Sequence, residues 1–241
     1  MSVKLFDQGV TLVKQGNYQE AVHILTDYLD GHPNKTEAWN EKGFALEQLK
    51  YFDHALICYE KALEIKPDFV AAWVNLGNLL ARRNLIEEAL RAYNRALKID
   101  PNSMYALMNK FQVLYKMHRY DEALTVLDIA IKHDPENPKL WFYRGFILST
   151  KAPTEFADHD EALESFTKGL EYNPKRAKLW YYKSIFYAGL GDKKNALENL
   201  AKAIELDLNF KSEAQTEEAY ERYHKEPEYQ TIVGLVPALT T

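Results

Sequence analysis

Between Trp39 and Leu46, and again between Ala55 and Ala62, apolar or small residues return every three or four positions, which gathers them on one helical face. The same order recurs 34 residues later as Trp73, Gly77, Leu80, Ala89, Tyr93 and Ala96. Pro33, Pro67, Pro101 and Pro135 keep that period over three intervals. Proline lacks an amide donor and disfavours helix in the residue before it, so each is expected to end the second helix of its unit. The first unit runs through Leu5, Gly9, Leu12, Ala21, Leu25 and Tyr28, the fourth through Leu107, Phe111, Leu114, Ala123, Leu127 and Ala130. The fifth has Trp141, Gly145 and Leu148, then five extra residues before Ala162, Phe166, Gly169 and Pro174. The sixth has Trp180, Ser184, Tyr187, Ala196, Leu200 and Ala203, with Leu208 where the others carry proline. No helix pair can bury its apolar face alone, so the pairs must stack on one another.

Seven matched offsets in consecutive units resemble the tetratricopeptide repeat family, whose unit is two antiparallel helices with this tryptophan, small-residue, aromatic, alanine and proline pattern. The resemblance covers about residues 2–210. It implies an all-α protein, a right-handed α-solenoid of six tetratricopeptide helix pairs with a C-terminal capping helix. The repeats are expected at about 2–35, 36–69, 70–103, 104–137, 138–176 and 177–210, with a capping helix and apolar tail over 211–241. Glu217 to Tyr223 reads as the capping helix, and the residues beyond Pro227, including Ile232 to Pro237, as a short helical turn and an apolar tail.

Three departures from the pattern carry expectations. Phe111 fills a slot that is glycine or serine in the other units, so helix spacing around the fourth unit should change. The insertion at 150–160 should lengthen the turn within the fifth unit. Asp158 or Asp160 is expected to cap a helix beginning near Glu161, because a short carboxylate there accepts otherwise unpaired amide bonds.

Composition narrows the class further. With 46% hydrophobic and 27% charged residues in 241, the chain is globular rather than disordered, and only 10 glycines and 9 prolines favour helices over many short strands. A net charge of -5 with no polybasic segment gives no basis for nucleic-acid binding. The most apolar run, Phe69 to Ala81, is interrupted by Asn75 and Asn78 and is too short for membrane insertion. The first residues, Met1 to Asp7, lack a signal-peptide core, and the single cysteine, Cys58, cannot form an internal disulfide, so a cytoplasmic setting is expected.

No phosphate loop, nucleophile elbow or paired-histidine motif occurs, so the expectation is no enzyme, no catalytic residue, no cofactor and no metal. Cys58, next to the core residue Tyr59, reads as a small packed side chain. Asp158-His159-Asp160 is the nearest approach to a metal cluster and reads better as a helix cap.

The resemblance also implies that the first helices line a concave groove. Asn75 and Asn109 stand two places after the tryptophan position, and Asn78 and Gln112 five places after it, forming a ladder of carboxamides across two units. A carboxamide both donates and accepts, so it can pair with an extended peptide backbone irrespective of side chains. Farther along, the same face becomes aromatic and basic, with Phe142, Tyr143, Phe146, Tyr181 and Tyr182 beside Lys139 and Lys178. Arg82 and Lys116 lie one turn beyond the ladder, whereas Asp7, Glu37, Glu41 and Glu47 make the opposite end acidic. The expected role is that of a non-enzymatic protein–protein interaction adaptor that takes an extended peptide or a partner's tail, preferably acidic. Members of the family that clamp chaperone tails use lysine–asparagine, asparagine and lysine–arginine sets in three consecutive units, and no three units here reproduce them. The alternative is a self-assembling scaffold, a homo-oligomer joined through an apolar stripe of Val3, Phe6, Val10 and Val13 that receives another copy's tail, such as Ile232 to Val236.

Overall fold

The computed structural model describes residues 2–151 and 156–235, with side chains over 4–150 and 159–235. All regular structure among them is helical. The helices follow the sequence period: α1 (Ser2–Lys14) and α2 (Tyr18–Gly31), α3 (Thr36–Gln48) and α4 (Phe52–Ile65), α5 (Val70–Arg82) and α6 (Ile86–Ile99). Then come α7 (Met104–Lys116) and α8 (Tyr120–His133), α9 (Pro138–Lys151) and α10 (Phe156–Tyr172), and α11 (Ala177–Leu190) and α12 (Lys193–Leu206). The chain forms two compact bodies, Met1–Val126 and Leu127–Thr241.

Within each pair the small-residue slot sets how closely the two helices approach. Gly77 leaves room for the Tyr93 ring, and a Cβ added there would lie 2.5 Å from Tyr93 Cε1. Gly43 stands in the same relation to Tyr59, and Gly145 to Phe166. The periodic alanines, among them Ala21, Ala55, Ala89, Ala162 and Ala196, are fully buried. Phe111, which replaces glycine in this slot, is itself buried in the first body and stacks on Tyr115.

Two further regularities tie the repeated residues to geometry. The indole Nε1–H of Trp39 donates to the Pro33 carbonyl at 2.8 Å, and Trp73, Trp141 and Trp180 repeat the bond to Pro67, Pro135 and Pro174 at 2.9, 2.7 and 2.8 Å. Tryptophan and proline recur together because one satisfies the carbonyl that the other leaves at the end of the preceding helix. Among the described residues, the turns inside five of the repeats each carry a residue with positive φ at the same offset: Gly16, Lys50, Asn84, His118 and Gly191. That left-handed residue lets the helix end and reverse, and the chain uses glycine for it in only two of these five places.

The last part of the chain departs from expectation in two respects. Helix α12 stops at Leu206 in register with its counterparts although Leu208 replaces proline, because the Asp207 backbone already leaves the helical region with φ -151° and ψ 110°. The cap is not one helix over Glu217–Tyr223 but three short elements: α13 (Phe210–Thr216), a 3-10 segment (Glu218–Tyr223) and α14 (Pro227–Ile232). Ile232 and Val233 belong to this cap, packed with Phe210, Ala214, Tyr220, Tyr223 and Tyr229, whereas Val236 and Pro237 lie outside the described residues. Tyr229 Oη donates to the Ala214 carbonyl at 2.8 Å, and the Tyr220 hydroxyl meets Ser184 Oγ in the small-residue slot of α11. Burial of such rings contributes roughly 2 kcal/mol each and covers the end of the sixth pair.

The insertion behaves differently from expectation as well. Helix α10 has 17 residues against 14 in α8 and α12, so part of the added length is helix rather than turn. With α10 starting at Phe156, Asp158 and Asp160 fall inside the helix and cannot be its cap. Residues 152–155 and the side chain of Asp158 lie outside the described residues.

Candidate peptide-binding groove

Helical spacing puts Asn75, Asn78 and Arg82 on one face of α5, and Asn109, Gln112 and Lys116 on the corresponding face of α7. All six line one depression of about 490 Å³ in the first body, together with Phe44, Glu47 and Tyr93. The carboxamides are not equivalent within it. Asn75 Nδ2 donates to Oδ1 of the buried Asn40 at 3.0 Å, and Asn78 Oδ1 accepts from the Tyr93 hydroxyl at 2.8 Å. Each of these two therefore has one polar atom engaged, whereas Asn109 and the exposed Gln112 have no partner among the described residues.

Sequence reasoning missed the role of Glu47. It counted that residue among the acids of the far end, but Glu47 is 4% exposed and lies in the wall of the same depression as the ladder. Tyr59 Oη donates to its Oε2 at 2.9 Å, and Arg82 Nη1 donates to its Oε1 at 3.1 Å. Burial lifts the Glu47 carboxyl above the usual carboxylate range, against the opposing pull of Tyr59 and Arg82. Arg82 is consequently committed to an ion pair within the chain, which corrects its reading as an open cation. Lys116, exposed and without an ion pair among the described residues, is the available positive charge. Glu41 is likewise raised by burial, with Asn40 as its hydrogen-bond donor.

The aromatic and basic residues belong to the second body and separate into two groups. Phe142 and Tyr181 are 5% and 3% exposed, which corrects their assignment to a binding surface. Each follows its tryptophan by one place and points at the next element: Phe142 meets Tyr182 edge-on at 5.2 Å, and Tyr181 stacks on Phe210 at 4.4 Å. Tyr143, Phe146 and Tyr182 remain half-buried, and Phe146 and Tyr182 line a depression of about 810 Å³ with His159 and Glu217. Lys139 and Lys178 are exposed, with Lys139 Nζ 5.8 Å from the Tyr143 ring and Lys178 Nζ 5.0 Å from that of Phe142.

The N-terminal stripe is largely used within the chain. Val13 is buried at 8% exposure, and Phe6 packs on Tyr28 at 5.5 Å with Lys35 Nζ 5.4 Å from its ring. Val10 is half-buried, and the side chain of Val3 lies outside the described residues. Helix α1 packs on two faces because both α2 and α3 contribute to the cluster around it. Cys58 is buried as expected, and burial pushes its thiol up to about 11, which leaves it unreactive. No described helix is long and apolar enough to cross a membrane.

Tetratricopeptide repeat models match residues 36–69, 70–103, and 108–149 with 155–207, together more than half of the chain. No curated protein sequence matches it. Among solved structures, the C-terminal part of a TPR repeat-containing protein from Cytophaga hutchinsonii is similar with a TM-score of 0.77 at 17% identity, over 94% of this chain and 92% of that one. PilF from Pseudomonas aeruginosa gives 0.69 at 16% identity, over 90% and 97%. YrrB, described as a TPR protein with an unusual peptide-binding site, gives 0.63 at 24% identity, over 79% and 97%. The period, the paired helices and the matched models agree, and the chain belongs to the tetratricopeptide repeat family.

Proposed function

We propose that the chain is a non-enzymatic interaction adaptor that holds an extended peptide or a partner's tail over the carboxamides of α5 and α7. The observation that carries this reading is the convergence of Asn75, Asn78, Asn109, Gln112 and Lys116 on a single depression. Asn109 and Gln112 present both a donor and an acceptor there, and extended backbone needs that pair of groups at regular intervals. Lys116 favours an acidic partner. The half-buried rings Tyr143, Phe146 and Tyr182, with Lys139 and Lys178, form a second contact region whose depression takes apolar side chains. YrrB, of the same fold, is described as having a peptide-binding site, which supports the class of ligand. A reducing, cytoplasmic location suits the lone buried thiol of Cys58.

The test is capture of the natural partner from native lysate by the wild-type chain and by the Asn75→Ala/Asn109→Ala variant. Loss of a specific partner band from the variant, with helical content retained, supports the groove; equal capture refutes it. The self-assembling scaffold has less support, since Val13 and Phe6 pack in the cluster formed by α1, α2 and α3 and Val233 packs in its own cap. Light scattering that returned a stable dimer at low concentration would revive it.

A further inference from the structure

The row of carboxamides lies between two unlike ends. Steps of four, three and four residues set Tyr105, Asn109, Gln112 and Lys116 on one stripe of α7. At the near end Tyr105 is 82% exposed, and among the described residues it has no ring, ion-pair or hydrogen-bond partner. It lines a second depression of about 620 Å³ with Phe69, Val70 and Val74, and this depression shares Asn75, Asn78 and Asn109 with the first. Lys66 and Asp68, of opposite sign, also border it, so its walls offer apolar surface without a net charge. At the far end stands Lys116, whose ammonium is unpaired among the described residues. Arg82 beside it is held by Glu47, and that carboxylate would repel an acidic ligand placed nearer to α3.

These two ends define a distance. Lys116 follows Tyr105 by 11 positions. At 1.5 Å per helical residue they are roughly 16 Å apart along the axis, which an extended chain rising about 3.3 Å per residue covers in roughly five residues. We propose that the groove selects a bipartite peptide: a bulky apolar side chain against Tyr105, Phe69 and Val70, and a carboxylate about five residues away on Lys116. The backbone between them lies over Asn109 and Gln112. A rigid, already exposed ring anchors such a side chain at low entropic cost, and burying it on both faces removes apolar surface from water on each partner. This inference rests on the groove reading and adds to it a composition, a spacing and a register.

The experiment measures fluorescence anisotropy of labelled, C-terminally amidated alanine–serine dodecapeptides carrying one leucine and one glutamate at separations from one to nine residues. Affinity should peak at separations of about four to six. Tyr105→Ala should weaken the best peptide about tenfold and leave leucine-free peptides unchanged, and Lys116→Gln should erase the preference for glutamate over glutamine. A parallel set with glutamine and a free C-terminal carboxylate at the same separations shows whether a side chain or a chain terminus supplies the charge. Because Tyr105 is exposed, its alanine variant should melt as wild type does. Affinity independent of separation, or a leucine preference untouched by Tyr105→Ala, overturns the proposal. If Asn75→Ala/Asn109→Ala loses the natural partner while no peptide shows a leucine preference, the anchor is wrong and the groove reading stands. If that variant keeps the partner, the groove reading fails as well.

Discussion

Glu47 Oε2 accepts a hydrogen bond of 2.9 Å from Tyr59 Oη, so a carboxylate on the groove side of α3 is held by a ring buried between α3 and α4. With Arg82 on its other oxygen, the bond links the wall of the candidate site to the core of the second repeat. Burial raises the Glu47 carboxyl above its ordinary value of 4.5, so the folded state binds the proton more tightly than the unfolded chain. Stability then falls as pH rises from the unfolded carboxylate value through the raised folded one. In Glu47→Gln the amide oxygen still accepts from Tyr59 and that pH dependence disappears. Denaturant melts from pH 4 to 7 should show the variant gaining on wild type as pH increases. Glu47→Ala leaves the Tyr59 hydroxyl unpaired and should cost about 1–3 kcal/mol.

The ladder variant needs a matched pair of controls, because its two residues differ in their surroundings. Asn109→Ala removes a side chain with no partner among the described residues, so it should weaken the natural partner several-fold without moving the melting temperature. Asn75→Ala leaves Oδ1 of the buried Asn40 without its donor and should cost about 1 kcal/mol of stability besides weakening binding. Isothermal titration together with calorimetric melts separates the two effects. Equal destabilisation by both substitutions would show that the Asn40–Asn75 bond contributes nothing.

Much of the fold was legible because one period fixes several physical requirements at once. Trp73, Gly77, Tyr93 and Pro67 recur as a set since the indole closes the proline carbonyl and the glycine admits the ring. The left-handed turn residue was not legible, because Lys50 and His118 stand where only glycine or asparagine would have announced it. In the site, helical spacing was enough to bring the carboxamides, Arg82 and Lys116 together. What spacing could not show was which of them are already paired: Arg82 meets Glu47 across 35 positions, and that bond depends on how adjacent repeats stack. Phe142, Tyr181 and Val13, all buried, were misassigned for a related reason. A first helix in a stack packs on the next pair as well as its own partner, and the apolar face is wider than one pair requires.

The small-residue slot makes a sharp stability test. In Gly77→Ala the new methyl would stand 2.5 Å from Tyr93 Cε1 and 2.8 Å from its Cδ1, and that ring is 1% exposed and tied to Asn78. The gain in helix propensity, about 1 kcal/mol, is smaller than the overpacking cost of roughly 1–3 kcal/mol. Gly189→Ala meets nothing within 4 Å and should be neutral or stabilising. Chemical denaturation of both variants checks the contrast, and a Gly77→Ala chain as stable as wild type would show that α5 and α6 can separate at little cost.

Salt dependence should distinguish the two cations of the first-body groove. Lys116 is unpaired, so raising ionic strength from about 20 mM to physiological values should slow association with an acidic partner, and Lys116→Gln should remove much of that dependence. Arg82→Gln should change the salt dependence less, since Glu47 already neutralises Arg82, and should instead lower stability by exposing the need of a buried carboxylate for its partner. Stopped-flow association rates of the three proteins with one partner decide the matter. Identical slopes would show that neither side chain steers the partner.

The N-terminal stripe gives the last test, in which the structure reverses the expectation from sequence. Taken as an exposed interface, Phe6→Glu would spare the fold and abolish an association. The structure instead packs Phe6 on Tyr28, a residue 7% exposed that also stacks on His32 at 4.4 Å, with Lys35 over the Phe6 ring. Glutamate there would lose this apolar contact and place a charge at the edge of the cluster formed by α1, α2 and α3. Partial exposure of Phe6 moderates the cost, so about 1–2 kcal/mol is expected, confined to the first repeat because stacked repeats transmit stability mainly to their neighbours. Hydrogen exchange should therefore quicken in α1 and α2 while α5 to α7 keep their protection, and the sedimentation coefficient should stay that of the wild type. Unchanged exchange together with a shift in oligomeric state would instead make the stripe an interface and restore the scaffold reading.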